Sequence, residues 1–394
     1  MPAYKTLVDF DLRGKRVLVR EDLNVPLKDG EIADFTRIDG ALPTLRYLHE
    51  NDAKIIILSH LGRPDGRPDP KYSLRPVAAA LGERLGLPVA FANDCIGEAA
   101  VSAIASLHDG GVLLLENVRF HAGEERNDPA FAKALAALGD IYINDAFGTA
   151  HCAHASTEGI AHLLPSAAGF LMEREIRALS GLIVSPAKPF ICVIGGAKVK
   201  DKVGVFRHLM VRVDGFCIGG GMANTFLAAQ GIEVGTSLRD DDLEPAREIT
   251  RLAAERSVAL HLPVDVVIAP DFNADDAARV VDIADVGNEM ILDIGPKTAA
   301  RYAAAIEQAK TIVFNGPMGV YEKPAYQAGT KLVGEAIARA TKHGATSVVG
   351  GGDAAAAAHE LGFAQAMTHV STGGGATLEF LEGKTLPGVA ALEG

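Results

Sequence analysis

The chain has 394 residues, which is enough material for two or three domains with full cores. Its composition is that of an ordinary globular protein, 48% hydrophobic and 22% charged, with no low-complexity tract and no Trp. A formal charge of −12 argues against nucleic acid or an anionic membrane as the main partner, and it makes local clusters of Arg and Lys more informative.

The N-terminal residues carry no apolar signal core, and no uninterrupted apolar run reaches bilayer length. Four cysteines, at 95, 152, 192 and 217, lack metal-pair spacing, and two lie inside apolar runs, so reduced thiols are expected. The expectation is a soluble, cytoplasmic protein.

In chain order, the first half alternates strand and helix. Arg16-Val17-Leu18-Val19-Arg20 reads as a strand. A helix follows from about Arg37, with Ile38, Leu42, Leu45 and Leu48 on one face. Residues 53–59 form a buried strand, apolar from Ile55 to Leu58, and Leu74, Val77, Leu81 and Leu85 mark the next helical stripe. Strands at 88–92, 112–115 and 141–143 complete the set. Between the last two, Asp128-Pro129 supplies an N-cap and a first-turn proline to a helix carrying Phe131, Leu135 and Leu138. This alternation means a parallel sheet covered on both faces.

Met172, Ile176, Leu179 and Ile183 make another helical stripe, and Ser185-Pro186-Ala187-Lys188-Pro189 breaks it. The expected organisation is an N-terminal domain over 1–170, a connecting helix and hinge over 171–189, and a C-terminal domain over 190–376. No internal repeat links the halves.

In the second half, apolar runs stop in glycine-rich turns. Ile191-Cys192-Val193-Ile194 meets Gly195-Gly196-Ala197-Lys198, and Phe216-Cys217-Ile218 meets Gly219-Gly220-Gly221. Ile291-Leu292-Asp293-Ile294 meets Gly295-Pro296, and Ile312-Val313-Phe314 meets Asn315-Gly316-Pro317. Ser347-Val348-Val349 meets Gly350-Gly351-Gly352-Asp353, and Val370-Ser371-Thr372 meets Gly373-Gly374-Gly375. Six such runs suggest one parallel sheet with an open rim, the place where open α/β sheets bind ligands. Glycine turns let backbone N–H groups approach an anion, and a following helix N-terminus favours negative charge. Asp353, at such a helix start, is either an N-cap or a ligand for Mg²⁺. Lys198 and Lys202, four apart, would share one helix face beside this rim, or simply face solvent.

The first-half strands end in charge instead: Arg20-Glu21-Asp22-Leu23-Asn24, Ser59-His60-Leu61-Gly62-Arg63 and Glu116-Asn117-Val118-Arg119. If these ends share a rim, His60, Arg63 and Arg119 converge with Arg37 on a small, multiply charged anion. Each Arg alone would be a surface ion pair of little worth. Standard nucleotide motifs fail: Gly383-Lys384-Thr385 has Leu378 where a phosphate-binding loop needs glycine, and Asn224 spoils a dinucleotide fingerprint starting at Gly219.

These stretches, with Asp145-Ala146-Phe147-Gly148-Thr149-Ala150-His151, Asn224 and Met318-Gly319-Val320, resemble phosphoglycerate kinase in family order across essentially the whole chain. The resemblance implies two Rossmann-like α/β domains, each a parallel sheet covered by helices on both faces. It places 3-phosphoglycerate or 1,3-bisphosphoglycerate on the N-terminal domain and Mg-ATP or Mg-ADP on the C-terminal one, in a monomer. By position, Asp22, Asn24, Arg37, His60, Arg63 and Arg119 would hold the phosphoglycerate. Gly195, Lys202, Gly219, Gly220, Gly295, Asn315, Pro317, Glu322, Gly350, Gly351, Gly352 and Asp353 would hold the nucleotide, with Glu322 on the ribose and Asp353 on the metal. Residues 377–394 would return to the N-terminal domain.

The implied reaction moves a phosphoryl group directly between an acyl phosphate and ADP. In reverse the nucleophile is a carboxylate, already ionised, so no general base is required. What remains is positioning and charge neutralisation, for which Arg37, Lys198 and Lys202 are the catalytic candidates, acting on domain closure. Three residues depart from the family pattern: Cys152 for arginine, Ala354 for threonine and Phe314 for tryptophan. Nearby His151 or His154 would take over part of the missing arginine's role as pH falls. The alternatives are a kinase of another small carboxylate and a catalytically impaired nucleotide-binding relative.

Overall fold

The structure is a computed structural model that describes residues 4–28 and 30–393. The chain divides into two compact units, Met1–Arg177 with Thr385–Gly394, and Ala178–Lys384. The division falls inside the helix Phe170–Val184, whose stripe of Met172, Ile176 and Leu179 is buried.

The first unit contains β1 (Arg16–Arg20), β2 (Leu27–Lys28), β3 (Glu31–Ile32), β4 (Lys54–Leu58), β5 (Val89–Ala92), β6 (Val112–Leu115), β7 (Ile141–Asn144) and β8 (Ser166–Ala168). Six of these strands form one sheet in the order β5-β6-β4-β1-β7-β8, and every pairing in it is parallel. The short β2 and β3 pair antiparallel with each other in a separate two-stranded sheet. Because both faces are covered, Val17 to Val19 and Ile55 to Leu58 are buried without alternation. One face packs on helices Thr36–Glu50 and Arg75–Leu85, through Ile38, Leu45 and Leu48 from the first and Val77 and Leu81 from the second. The helix Pro129–Ala136 begins as its sequence suggests: the Asp128 carboxylate accepts from the backbone N–H of Ala130 and Phe131 at 2.9 and 3.0 Å. From Thr385 the chain rejoins this unit, burying Leu386, Val389 and Leu392, and Gly388 N–H donates to the Ala150 carbonyl at 2.8 Å.

The second unit contains β9 (Phe190–Ile194), β10 (Gly215–Ile218), β11 (Ala259–His261), β12 (Asp265–Ala269), β13 (Arg279–Asp282), β14 (Met290–Ile294), β15 (Thr311–Asn315), β16 (Thr346–Val349) and β17 (His369–Val370). The main sheet runs β11-β10-β9-β15-β16-β17, again all parallel. Five of the six glycine-ended runs lie in it. The sixth does not: β14 sits in a separate three-stranded sheet, β13-β12-β14, paired antiparallel to β12. An apolar run ending in Gly-Pro looks the same in either setting, because period and composition do not name the partner strand. Residues 377–384 stay with this unit, where the helix Gly375–Leu381 packs on the helix Val203–Leu209.

Candidate functional site

In the first unit, β6, β4, β1 and β7 are neighbours and parallel, so their carboxyl ends open on one rim. The segments leaving those ends line a cavity of about 290 Å³ formed by Asp22, Asn24, Arg37, His60, Gly62, Arg63, Arg119, Gly148, Thr149, His151 and Cys152. Every side chain expected to bind the acidic ligand is on this wall. Arg37 arrives from the first turn of its helix and pairs with Asp22. Asn24 Oδ1 accepts from the Gly62 N–H at 2.8 Å, and Arg119 donates to the Gly62 carbonyl at 2.9 Å, so one turn aligns two of the side chains expected to bind the ligand. The Arg119 Nε lies 3.2 Å from Glu125 Oε1 without hydrogen-bond alignment. Arg63 is exposed at the mouth.

Beneath this wall lies a buried polar floor. Arg20, fully buried, donates to Ser156 Oγ at 2.8 Å and lies 3.1 Å from His60 Nδ1, and Ser156 Oγ donates to Glu124 Oε1 at 2.6 Å. A guanidinium only donates, so Nδ1 of His60 accepts and its proton sits on Nε2. Burial first, then Arg20, Arg119 and Arg37, push the His60 pKa well below its usual value. His60 is therefore a neutral donor, and the positive charge of the cavity is carried by guanidiniums. Burial lowers the pKa of Arg119 too, yet no protein environment deprotonates Arg near neutral pH. His154 is pushed down to about 4 by burial and by Arg119 and Arg20. It cannot act as a cationic substitute for arginine near pH 7, contrary to the expectation for it. The Gly148, Thr149 and His151 wall was not singled out as binding, although its stretch is among those carrying the family resemblance.

In the second unit, the carboxyl ends of β10, β9, β15 and β16 meet as neighbours. Beside them lies a cavity of about 480 Å³, walled by Leu238, Phe272, Leu292 and Val320 and reached by Gly220, Pro317, Glu322 and Asp353. Those last four are expected nucleotide residues. Lys202, Gly195, Asn315 and Gly350 form a connected group beneath the rim instead of lining that cavity. The Lys202 ammonium donates to the carbonyls of Gly195 at 2.8 Å and Asn315 at 2.6 Å, and Asn315 donates to the Gly350 carbonyl at 2.6 Å. Burial lowers the Lys202 pKa to about 8, against the opposing pull of Cys192 and Asp353.

The glycines divide by role. A Cβ on Gly195 would lie 1.9 Å from the Pro317 carbonyl oxygen, so that glycine makes room for another turn of the protein. Gly219 faces Met318 in the same way, and Gly295 faces the Asp265 carboxylate, which caps the helix Pro296–Glu307 through Lys297 and Thr298. Around Gly352 there is open space. Gly351, at φ +100°, is the N-cap of helix Gly352–Glu360, in a backbone region that favours glycine.

Two local expectations are corrected here. Asp353 is not the N-cap: Gly351 holds that place, and Asp353 is exposed in the first turn of the helix. Lys198 and Lys202 do not share a helix face, because Lys198 is extended at the start of the 3₁₀ turn Val199–Lys202 and exposed, whereas Lys202 turns inward. A four-residue spacing pairs side chains only on a continuous α-helix. The sequence reading also passed over Asp293, which lines the cavity and accepts from the Ile294 and Gly329 N–H groups at 2.8 and 2.6 Å. Burial raises its pKa to about 7. Ala354 and Phe314 are both buried, the latter edge-on to Phe363 at 5.7 Å, as an apolar replacement requires.

Comparison with known proteins places the chain in a family. Residues 7–384 match the family model described as phosphoglycerate kinase. The chain is similar to a protein named phosphoglycerate kinase from Chloroflexus aurantiacus, 54% identical over 394 residues, covering 99% of this chain and 98% of that one. It superposes on a solved structure of phosphoglycerate kinase from Coxiella burnetii with a TM-score of 0.91 at 44% identity, covering 99% of each chain. A phosphoglycerate kinase structure from Pyrococcus horikoshii is also similar, with a TM-score of 0.85 at 36% identity over 98% of each.

Proposed function

The chain belongs to the phosphoglycerate kinase family, and from that premise we infer how its two cavities share one reaction. The activity is reversible phosphoryl transfer between 1,3-bisphosphoglycerate and ADP, giving 3-phosphoglycerate and ATP, a step of glycolysis. It is a phosphotransferase whose acceptor in the reverse direction is a carboxyl group.

The first cavity takes the phosphoglycerate. Arg37, Arg63 and Arg119 neutralise its phosphate and carboxylate, Asn24 and the neutral His60 orient its oxygens, and Asp22 holds Arg37. What carries this reading is that the six residues chosen for that ligand, Asp22, Asn24, Arg37, His60, Arg63 and Arg119, line one small cavity together with Cys152, which stands at the position of the family's arginine. The second cavity takes the nucleotide, its apolar wall against the base, Glu322 at the ribose and the strand-end turns at the phosphates.

Among candidate metal ligands, Asp353 fits Mg²⁺: an exposed carboxylate that is not the helix N-cap, on the cavity wall next to a glycine with open space around it. When bound with the nucleotide, Mg²⁺ supplies charge neutralisation on the phosphate oxygens. Lys202 is held by two strand-end carbonyls, beside the turns assigned to the phosphates, where a charge in a dry setting acts strongly. Exposed Lys198 and Arg37 complete the candidate set on the moving group. Because the two ligands occupy different units, in-line transfer requires the units to close and expel water. The chain acts as a cytoplasmic monomer in this reading.

The test is turnover in a coupled assay with 3-phosphoglycerate and ATP, repeated with other small carboxylates. Turnover with 3-phosphoglycerate alone is expected. Absence of all turnover with retained nucleotide binding would mark an impaired relative.

A further inference from the structure

One group of chemistry-bearing side chains lies outside both cavities. Among the described residues, Asp94, Cys95 and His121 are the only set of three His, Cys, Asp or Glu residues whose ligand atoms all fall within 4.8 Å of one another. Asp94 and Cys95 follow β5, and His121 follows the 3₁₀ turn Val118–Phe120 after β6. The two segments meet because β5 and β6 are parallel neighbours, Ala92 opposite Leu115, so their carboxyl ends emerge together. We propose that Asp94, Cys95 and His121 form a binding site for a borderline-soft divalent metal of the Zn²⁺ or Co²⁺ class, clamping the segment after β5 to the segment after β6.

The donor set selects that class. Thiolate, imidazole and carboxylate together suit Zn²⁺, whereas Mg²⁺ and Ca²⁺ take oxygen ligands. Bond lengths of about 2.0–2.3 Å in a tetrahedral shell put ligand atoms roughly 3.3–3.7 Å apart. The three ligand atoms already lie within 4.8 Å of one another, little more than an ångström beyond that spacing. At present Asp94 Oδ1 accepts from the Cys95 N–H at 2.7 Å and lies 2.6 Å from His121 Nε2. His121 is stacked on Phe131 at 5.1 Å, which fixes the plane of its ring. Cys95 is fully buried on the inner side, while the side chains of Asp94 and His121 are 43% and 30% exposed, so a metal reaches the thiol by passing between them.

The approach is acidic. An adjoining cavity of about 460 Å³ is lined by Asp69, Asp94 and Glu116 together with His121, and among the described residues its lining contains no Lys or Arg. Lys71 pairs with Asp69 at 3.3 Å and Arg75 donates to Asn93 at its edge. Among the described residues, Asp94 and Glu116 are therefore its carboxylates without a Lys or Arg partner in a salt bridge, and the open fourth position of the metal faces this water-accessible space. Binding is balanced by one proton: the Cys95 thiol releases H⁺ to solvent as the metal–sulfur bond forms. His121 coordinates through its Nε2 lone pair, with its own proton carried on Nδ1. The clamp ends two residues from Arg119, which lines the phosphoglycerate cavity.

Co²⁺ titration of the full-length protein, without nucleotide or Mg²⁺, tests this. One equivalent should produce a thiolate-to-Co²⁺ charge-transfer band with the visible bands of a tetrahedral site, and Zn²⁺ should displace it and raise Tm. The band should vanish in Cys95→Ala and survive in Cys152→Ser, which removes the thiol next to His151. His121→Asn and Asp94→Asn, at part-exposed positions that the fold tolerates, should each weaken Co²⁺ by at least about tenfold, the scale on which even outer-sphere partners act. No band in the wild-type protein, a band lost with Cys152 and kept without Cys95, or unchanged affinity in both surface variants would overturn the proposal.

Discussion

The two cavities stand on matching parallel sheets and present opposite chemistry at their strand ends. In the first unit the strand ends carry side-chain charge, and the turns between them, such as the one at Gly62, serve to aim guanidiniums and amides. In the second unit the strand ends carry little but backbone, and half-buried Lys202 is held by carbonyls of two of those ends. The difference follows from the ligands proposed for each. A small acid with two anionic ends needs charge at fixed points, whereas a nucleotide brings its own metal and a large apolar base. Glycine turns also pack against each other, as Gly195 does on Pro317, so that rim is compact before it is a ligand site.

The comparison breaks most easily at Lys202, the cation held by the carbonyls of two strand ends. Lys202→Ala should lower kcat about 10²- to 10³-fold, as loss of one transition-state donor does, with nucleotide affinity changing far less. Loss of affinity in proportion, with kcat intact, would return Lys202 to a purely ground-state or structural part. In the first cavity charge is shared, so a single gain or loss should matter less. Cys152→Arg should lower the KM for 3-phosphoglycerate by up to about 10- to 150-fold, the worth of one charged hydrogen bond at roughly 1.5–3 kcal/mol. The KM for ATP should barely move. An unchanged or raised phosphoglycerate KM would mean that the wall has re-formed around the cysteine.

Asp353→Asn should weaken Mg-nucleotide by about tenfold, near 1.4 kcal/mol, and leave 3-phosphoglycerate affinity alone. Since Gly351 and not Asp353 occupies the N-cap, Tm should hold. A large fall in Tm without weaker nucleotide binding would reverse the assignment. The Lys202 pKa near 8 adds a pH signature. Its charge is lost as pH rises through about 8, so kcat/KM for ATP should fall above that pH, approaching about tenfold per unit. Stability moves the other way between about 8 and 10, because the unfolded chain still binds the proton that the folded Lys202 has released. A level kcat/KM profile from pH 7 to 9 would show that the lysine stays charged. The smallest effect concerns His154, whose pKa near 4 keeps it neutral. His154→Gln should leave the pH dependence of the phosphoglycerate KM between pH 6 and 8 as it is in the wild type, and any flattening of that profile would restore its substitute role.

Much of the molecule was legible in the chain because local rules and global fold agree. Buried parallel strands read as unbroken apolar runs, so β1, β4 and β6 were found within a residue or so of their ends. Asp128-Pro129 announced its helix because an N-cap acts through neighbours in sequence. The charged and glycine-rich strand ends were visible for the same reason, and parallel strands then carried Asp22, His60 and Arg119 to one wall. Partnership across the fold was not visible. That β14 pairs antiparallel with β12, that Asp265 fills the space beside Gly295, and that Lys202 turns inward while Lys198 does not are all settled by atoms distant in sequence. The same holds for charge state. His60, His154 and Lys202 owe their lowered pKa values to burial, and the two histidines also to guanidiniums brought near by the fold. Motif and period report what a residue is next to along the chain. Desolvation and Coulomb interaction depend on what surrounds it in space, and only the packed tertiary structure decides that.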